Sequence, residues 1–208
     1  TRYHHDRAGR LIETSDNTGV PQHTYVWAED RPIAQIDHTG PTDQIVYLHT
    51  DHLNTPRSAT DANQRIVWRW EGGAFGDTAP EENPDGDGKL TKIDLRYPGM
   101  VADQESGLFY NWNRYYDPKN GGRYISSDPI GLAGGLNTYA YVENNPVNAI
   151  DPSGLVKLYG SWCGPDWSGG FRKSYDKLDA IERTVVLPPI DNLDRCCQTH
   201  DIIYANCR

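Results

Sequence analysis

Tyr3-His4-His5-Asp6 leads through Arg7-Ala8 to Gly9-Arg10-Leu11-Ile12. An aromatic residue opens a short strand, an aspartate and a glycine close a tight turn, and an apolar pair begins the return strand. Tyr47 to Asp51 and on to Arg57 repeats this more loosely, and so does Tyr25 to Asp30. Repetition of one small hairpin predicts a stacked or spiralling sheet, in which each unit buries its face on its neighbours.

The surrounding residues agree. Tyr25-Val26-Trp27, Ile33-Ala34-Gln35-Ile36, Gln44-Ile45-Val46-Tyr47-Leu48 and Ile66-Val67-Trp68-Arg69-Trp70 are short, β-branched and aromatic. Asp16-Asn17-Thr18-Gly19, His38-Thr39-Gly40-Pro41 and Gly72-Gly73 punctuate them as turns. Residues 1–100 show no long helical period, so this half reads as all-β. The run Ala79 to Gly88, acidic and rich in Gly and Pro, reads as a solvated loop.

Charge and cysteine divide the chain at one place. Of 208 residues, 156–208 hold seven Lys and Arg against seven Asp and Glu, so the whole net charge of −9 lies in 1–155. An acidic amino-terminal part argues against nucleic-acid binding, which needs a basic footprint. All four cysteines (Cys163, Cys196, Cys197, Cys207) fall after that border. A cysteine-free part suits a reducing compartment, and a cysteine-bearing tail suits later disulfides or a metal. The chain begins with Thr1 and its one methionine is Met100, which predicts a piece of a longer polypeptide. No apolar run approaches the length of a membrane span.

Asp128-Pro129-Ile130-Gly131-Leu132 and Asp151-Pro152-Ser153-Gly154-Leu155 are near-copies 23 positions apart. Either copy alone reads as a turn, with Pro presetting φ and Gly accepting a positive φ. As a pair they predict more. Two carboxylates at contact cannot both ionise, so one serves as base toward water and the other as acid toward a scissile carbonyl.

The motif Tyr-x-x-Asp-x-x-Gly-Arg-Leu resembles the repeat of the Rhs/YD-repeat proteins. Tyr47 to Arg57 resembles the segment before their core-associated domain. Arg96-Tyr97-Pro98-Gly99, Asn113-Arg114-Tyr115-Tyr116-Asp117-Pro118 and Gly122-Arg123-Tyr124-Ile125-Ser126 are similar to that domain itself. The resemblance implies a mainly β fold, with YD repeats of a spiral β-shell over 1–95 and a core-associated domain over 96–155. It implies a shell that encloses a carboxy-terminal toxin, delivered by a secretion apparatus. It also implies that Asp128 and Asp151 form an aspartyl-protease-like site cutting between Leu155 and Val156. Arg123 is a supporting candidate by position only.

In 156–208, Pro188-Pro189 stops what precedes it, and Asp191 or Asn192 can cap a helix from about Leu193. Cys196, His200 and Tyr204 then share a face, with Cys197 and Asp201 on the adjacent one. A neutral His can take a proton from water, and Asp201 can bind a cation that polarises a carbonyl. The glycines of Trp162 to Gly170 allow several backbone carbonyls to turn toward a hard ion.

Tyr159-Gly160-x-Trp162-Cys163-Gly164 and Pro189-x-Asp191-x-Leu193-Asp194-x-Cys196-Cys197-x-x-His200-Asp201-x-x-Tyr204 resemble the calcium loop and catalytic helix of secreted phospholipase A2. The resemblance implies a small α-helical, disulfide-linked segment, incomplete at Arg208, with Ca2+ as cofactor. His200 would activate water. Asp201 and the carbonyls of Trp162, Gly164 and Asp166 (or Gly169) would hold calcium. Tyr204 would orient His200, and Cys163 would pair with Cys197. Ser161 and Ile203 stand where many members have cysteine, and the second helix with the buttressing aspartate is not in this chain.

Two whole-protein readings follow. In the first, an effector made in the bacterial cytoplasm is secreted and frees a phospholipase that acts on phospholipid at the target-cell membrane, from the periplasm. Its partners would be the rest of the shell, an immunity protein, and secretion-spike and chaperone proteins. In the second, a structural or surface YD-repeat protein carries an inactive disulfide-bound tail. Zinc on Cys196, Cys197, His200 and Cys207 is a rival for the cysteines, although it leaves Cys163 idle.

Overall fold

The computed structural model describes residues 1–155 and the backbone of Leu158–Tyr159. The residues expected to mark the cut and the cargo site, Val156, Trp162, Cys163, Gly164, Asp166, Cys197, His200, Asp201 and Tyr204, therefore lie outside the described residues. Seven strands form one antiparallel meander: β1 (Arg2–His5), β2 (Leu11–Ser15), β3 (Pro21–Ala28), β4 (Arg31–Asp37), β5 (Gln44–Thr50), β6 (Pro56–Thr60) and β7 (Ile66–Arg69).

One piece of turn chemistry recurs between these strands. Asp6 accepts the N–H groups of Ala8 and Arg10, both at 2.9 Å, and Arg10 Nε at 2.7 Å. Asp51 treats Leu53, Thr55 and Arg57 likewise, and Asp61 treats Asn63 and Arg65 likewise. The aspartate side chain replaces a missing turn partner, so hairpin closure is encoded within five to seven residues. Gly9 takes φ +88°, while Asn54 and Gln64 adopt +67° and +64° at the matching place. The Tyr25–Asp30 echo closes differently, because Ala28 pairs directly with Arg31 and Glu29 takes the positive φ.

The period of two then sorts the faces. Tyr25, Gln35 and Val46 are cross-strand partners, as are Leu48, Ala59 and Trp68, and all six are buried. That inner face meets a second antiparallel sheet of β8 (Val101–Ala102), β9 (Phe109–Asn111), β10 (Arg114–Asp117) and β11 (Arg123–Tyr124), ordered β11-β10-β9-β8. One core spans both sheets.

Its centre is aromatic. Trp70 packs 5.5 Å from Tyr97, which stacks on Tyr141 at 5.7 Å; Tyr116 and Tyr124 meet the same group edge-on. Each such pair adds about 0.5–1.5 kcal/mol beyond area burial. A third ladder joins β12 (Ala149–Ile150) to β13 (Leu158–Tyr159), so the chain doubles back between Ile150 and Leu158.

Candidate active site

Both Asp-Pro motifs fold as the turns their composition predicts. Asp128 Oδ1 accepts the N–H of Ile130, and Asp151 Oδ1 accepts the N–H of Leu155, each at 3.0 Å. The second turn is seated by backbone contact: Gly99, at φ +85°, lies so close to Pro152 that no side chain fits there.

The two carboxylates converge from 23 positions apart, and they do so on a cation. Arg114 Nη2 stands 2.9 Å from Asp128 Oδ2 and 3.1 Å from Asp151 Oδ2, and all three side chains are no more than 4% exposed. The same guanidinium donates from Nε to the Gly154 carbonyl at 2.6 Å and from Nη1 to the Thr138 carbonyl at 3.2 Å. The guanidinium thus gives each carboxylate a charge-assisted donor from the same nitrogen.

Asp151 is further held by Tyr124, whose hydroxyl donates to Oδ2 at 2.8 Å. Asn111 Nδ2 donates to that hydroxyl and to the Asp151 carbonyl, both at 2.8 Å. Burial first, and then the Asp151 charge, push the Tyr124 hydroxyl far above its ordinary pKa, so it remains a donor. Asp128 faces the chain it is expected to cut. A Cβ placed on Gly134 would lie 2.5 Å from Asp128 Oδ2 and 3.3 Å from the Leu155 carbonyl oxygen. Carboxylate and carbonyl thus open onto one small space that only a glycine leaves vacant.

Arg123 is not part of this group. It is exposed on β11, with its guanidinium carbon 5.8 Å from the Tyr139 ring centroid. Strand alternation turns Tyr124 inward in its place. Sequence reasoning missed Arg114, Tyr124, Asn111 and Gly134. The signal was an arginine in phase with Tyr116 on β10: both are buried while Tyr115 between them is exposed, and a buried arginine must find acceptors.

A hairpin meander closed by a small sheet, with two Asp-Pro turns on one buried arginine, defines a mainly β segment with a buried carboxylate pair. Residues 45–82 match the family described as RHS protein. Toxin protein Tse5 of Pseudomonas aeruginosa is 42% identical over 113 residues, covering 54% of this chain and 8% of that protein. Double-stranded DNA deaminase toxin A of Burkholderia cenocepacia is 35% identical over 164 residues, covering 72% of this chain and 11% of that protein. The crystal structure of TcdB2-TccC3 without hypervariable C-terminal region aligns with 74% of this chain and 9% of that one, at TM-score 0.54 and 24% identity, a likeness of fold. The chain therefore spans about a tenth of the length of these proteins, and the matches support a carboxy-terminal Rhs-associated core region within it.

Proposed function

We propose that residues 1–155 are the carboxy-terminal part of an Rhs-type shell that cuts its own chain between Leu155 and Val156, separating the residues that follow as a toxin. The observation that carries this is the convergence of Asp128 Oδ2 and the Leu155 carbonyl on the space at Gly134. Asp128 takes a proton from a water attacking that carbonyl and returns it to the leaving amine, leaving a carboxylate on Leu155 and a free amine on Val156. Asp151, tied to Tyr124, Arg114 and the Leu155 N–H, holds the bond in place.

For the part set free, the residue run from Cys196 to Tyr204 supports a phospholipase A2-like hydrolase. Its oxygen donors suit a hard cation: Asp201 and the carbonyls of Trp162, Gly164 and Asp166 would hold Ca2+. Calcium bound there would polarise an ester carbonyl, while His200 takes a proton from water. Deaminase action is named for the Burkholderia relative and is not carried over, because a different cargo can follow the same shell. The remaining partners of this reading are the rest of the shell, an immunity protein, secretion-spike and chaperone proteins, and the target-cell phospholipid membrane.

Mass spectrometry of the purified chain tests the cut. The wild type should yield a fragment beginning at Val156, and Asp128→Asn and Asp151→Asn should remain intact. A Val156 fragment from either variant sinks the assignment. Fatty-acid release from phospholipid vesicles by the longer natural polypeptide, dependent on calcium and lost in His200→Ala, tests the cargo separately.

A further inference from the structure

The run Asn83-Pro84-Asp85-Gly86-Asp87-Gly88 links β7 to the second sheet, and composition reads it as a solvated loop. The structure buries part of it. The Asp85 side chain is 10% exposed, and both Asp85 Oδ2 and Asn83 Oδ1 are buried with no hydrogen-bond partner. Arg65 Nη1 reaches only to 3.7 Å from Asp85 Oδ2, because Nε and Nη2 are committed to Asp61 at 2.9 and 2.7 Å. Buried acceptors left without a donor are destabilising. Neither oxygen can satisfy the other, since both only accept.

The spacing supplies a reason. Oxygen-bearing side chains stand first, third and fifth (Asn83, Asp85, Asp87), a glycine stands sixth (Gly88, φ +84°), and a carboxylate stands twelfth (Asp94). That is the order of ligands and turn in calcium-binding loops. Both ends are tied down. Arg69 and Glu81 exchange backbone hydrogen bonds at 3.0 and 2.8 Å, the Thr91 N–H donates to the Glu82 carbonyl at 2.8 Å, and Gln35 Nε2 donates to the Lys92 carbonyl at 2.8 Å.

Asp94 Oδ1 is engaged by Gln104 Nε2 at 2.9 Å, which draws it toward the second sheet. Among the described residues no three His, Cys, Asp or Glu side chains converge as a metal site. The run itself offers a mixed set: two carboxylates, one amide and loop carbonyls, with Asp87 Oδ1 accepting the Lys89 N–H at 2.8 Å. Calcium accepts six to eight such oxygens in irregular geometry, whereas zinc favours nitrogen and sulfur.

We propose that residues 83–91 bind one calcium ion through Asn83 Oδ1, Asp85, Asp87 and backbone carbonyls, bracing the connection between the two sheets. This site is independent of the cut and of the cargo. Calorimetric titration of the full chain with calcium chloride tests it, comparing wild type, Asp201→Asn and the double variant Asp85→Asn/Asp87→Asn. A binding event should survive Asp201→Asn and vanish in the double variant. Calcium should also raise the melting temperature of the wild type and leave that of the double variant unmoved. If the double variant already melts lower in EDTA, Asp87→Asn alone is scored by the same isotherm, with weakened binding expected. An unchanged isotherm in the loop variants, no binding in Asp201→Asn, or an equal response to magnesium overturns the proposal.

Discussion

Asp151 Oδ1 accepts the backbone N–H of Leu155 at 3.0 Å. A catalytic-motif aspartate thus grips the residue whose carbonyl is expected to be attacked, four positions along its own turn. The grip is local, but its use depends on Gly134 and Asp128, which reach the other side of the same residue through a different part of the chain.

Gly134→Ala tests that approach. The added methyl would displace either Asp128 or the Leu155 carbonyl, and misplacement by about 1 Å can cost on the order of a hundredfold in rate. Cleavage followed by gel densitometry should slow by about that much, while the melting temperature stays near that of the wild type. Unchanged cleavage would separate Asp128 from the reaction.

Arg114→Met leaves two buried carboxylates facing each other without their cation. Breaking a buried pair in this way costs about 3–5 kcal/mol. Urea denaturation should show a loss of that size, with Arg114→Lys in between. Equal stability of wild type and Arg114→Met would refute the central role of the guanidinium.

Tyr124→Phe keeps the ring against Tyr116 and Tyr141 but removes the hydroxyl that holds Asp151. A hydrogen bond to a charged group is worth about 1.5–3 kcal/mol, so cleavage should fall by about tenfold or more. Wild-type kinetics in this variant would show that Asp151 needs no hydroxyl to hold it.

The aromatic core predicts alkaline instability. Burial raises Tyr97 to about 12, and it also raises Tyr25, Tyr116, Tyr124 and Tyr141. The unfolded chain releases these protons near 10.0, while the folded chain keeps them. The stability they represent is therefore complete below about pH 10 and is lost as pH rises through 12. Burial lowers Arg96 to about 10, which works in the opposite sense over the same range, one group against five. Tyrosinate absorbance should rise in two stages, with the buried group titrating only as the chain unfolds. A single stage near pH 10 in a still-folded chain would contradict this core.

Much of the fold was legible because its instructions are short-range. The strands around Trp27, Ile36, Val46 and Trp68 follow from alternation, and the turns at Asp6, Asp16 and Asp51 follow from an aspartate beside backbone N–H groups. Asp61 escaped notice because Gln64 stands where the turn would favour glycine. The site was half legible. Two Asp-Pro copies marked themselves by repetition, whereas Arg114 sat inside an ordinary strand, and proximity along the chain favoured Arg123, which lies exposed on β11.

By itself, then, the sequence determined the hairpin meander and the two aspartyl turns, since each depends on chemistry within a few neighbouring residues. Only the tertiary structure decided that Asp128 and Asp151 meet on Arg114, that Leu155 faces Gly134, and that Asn83 and Asp85 are buried rather than solvated. Those outcomes depend on which charges and oxygens packing removes from water. That choice is made between residues far apart in the chain, where local composition carries no record of it.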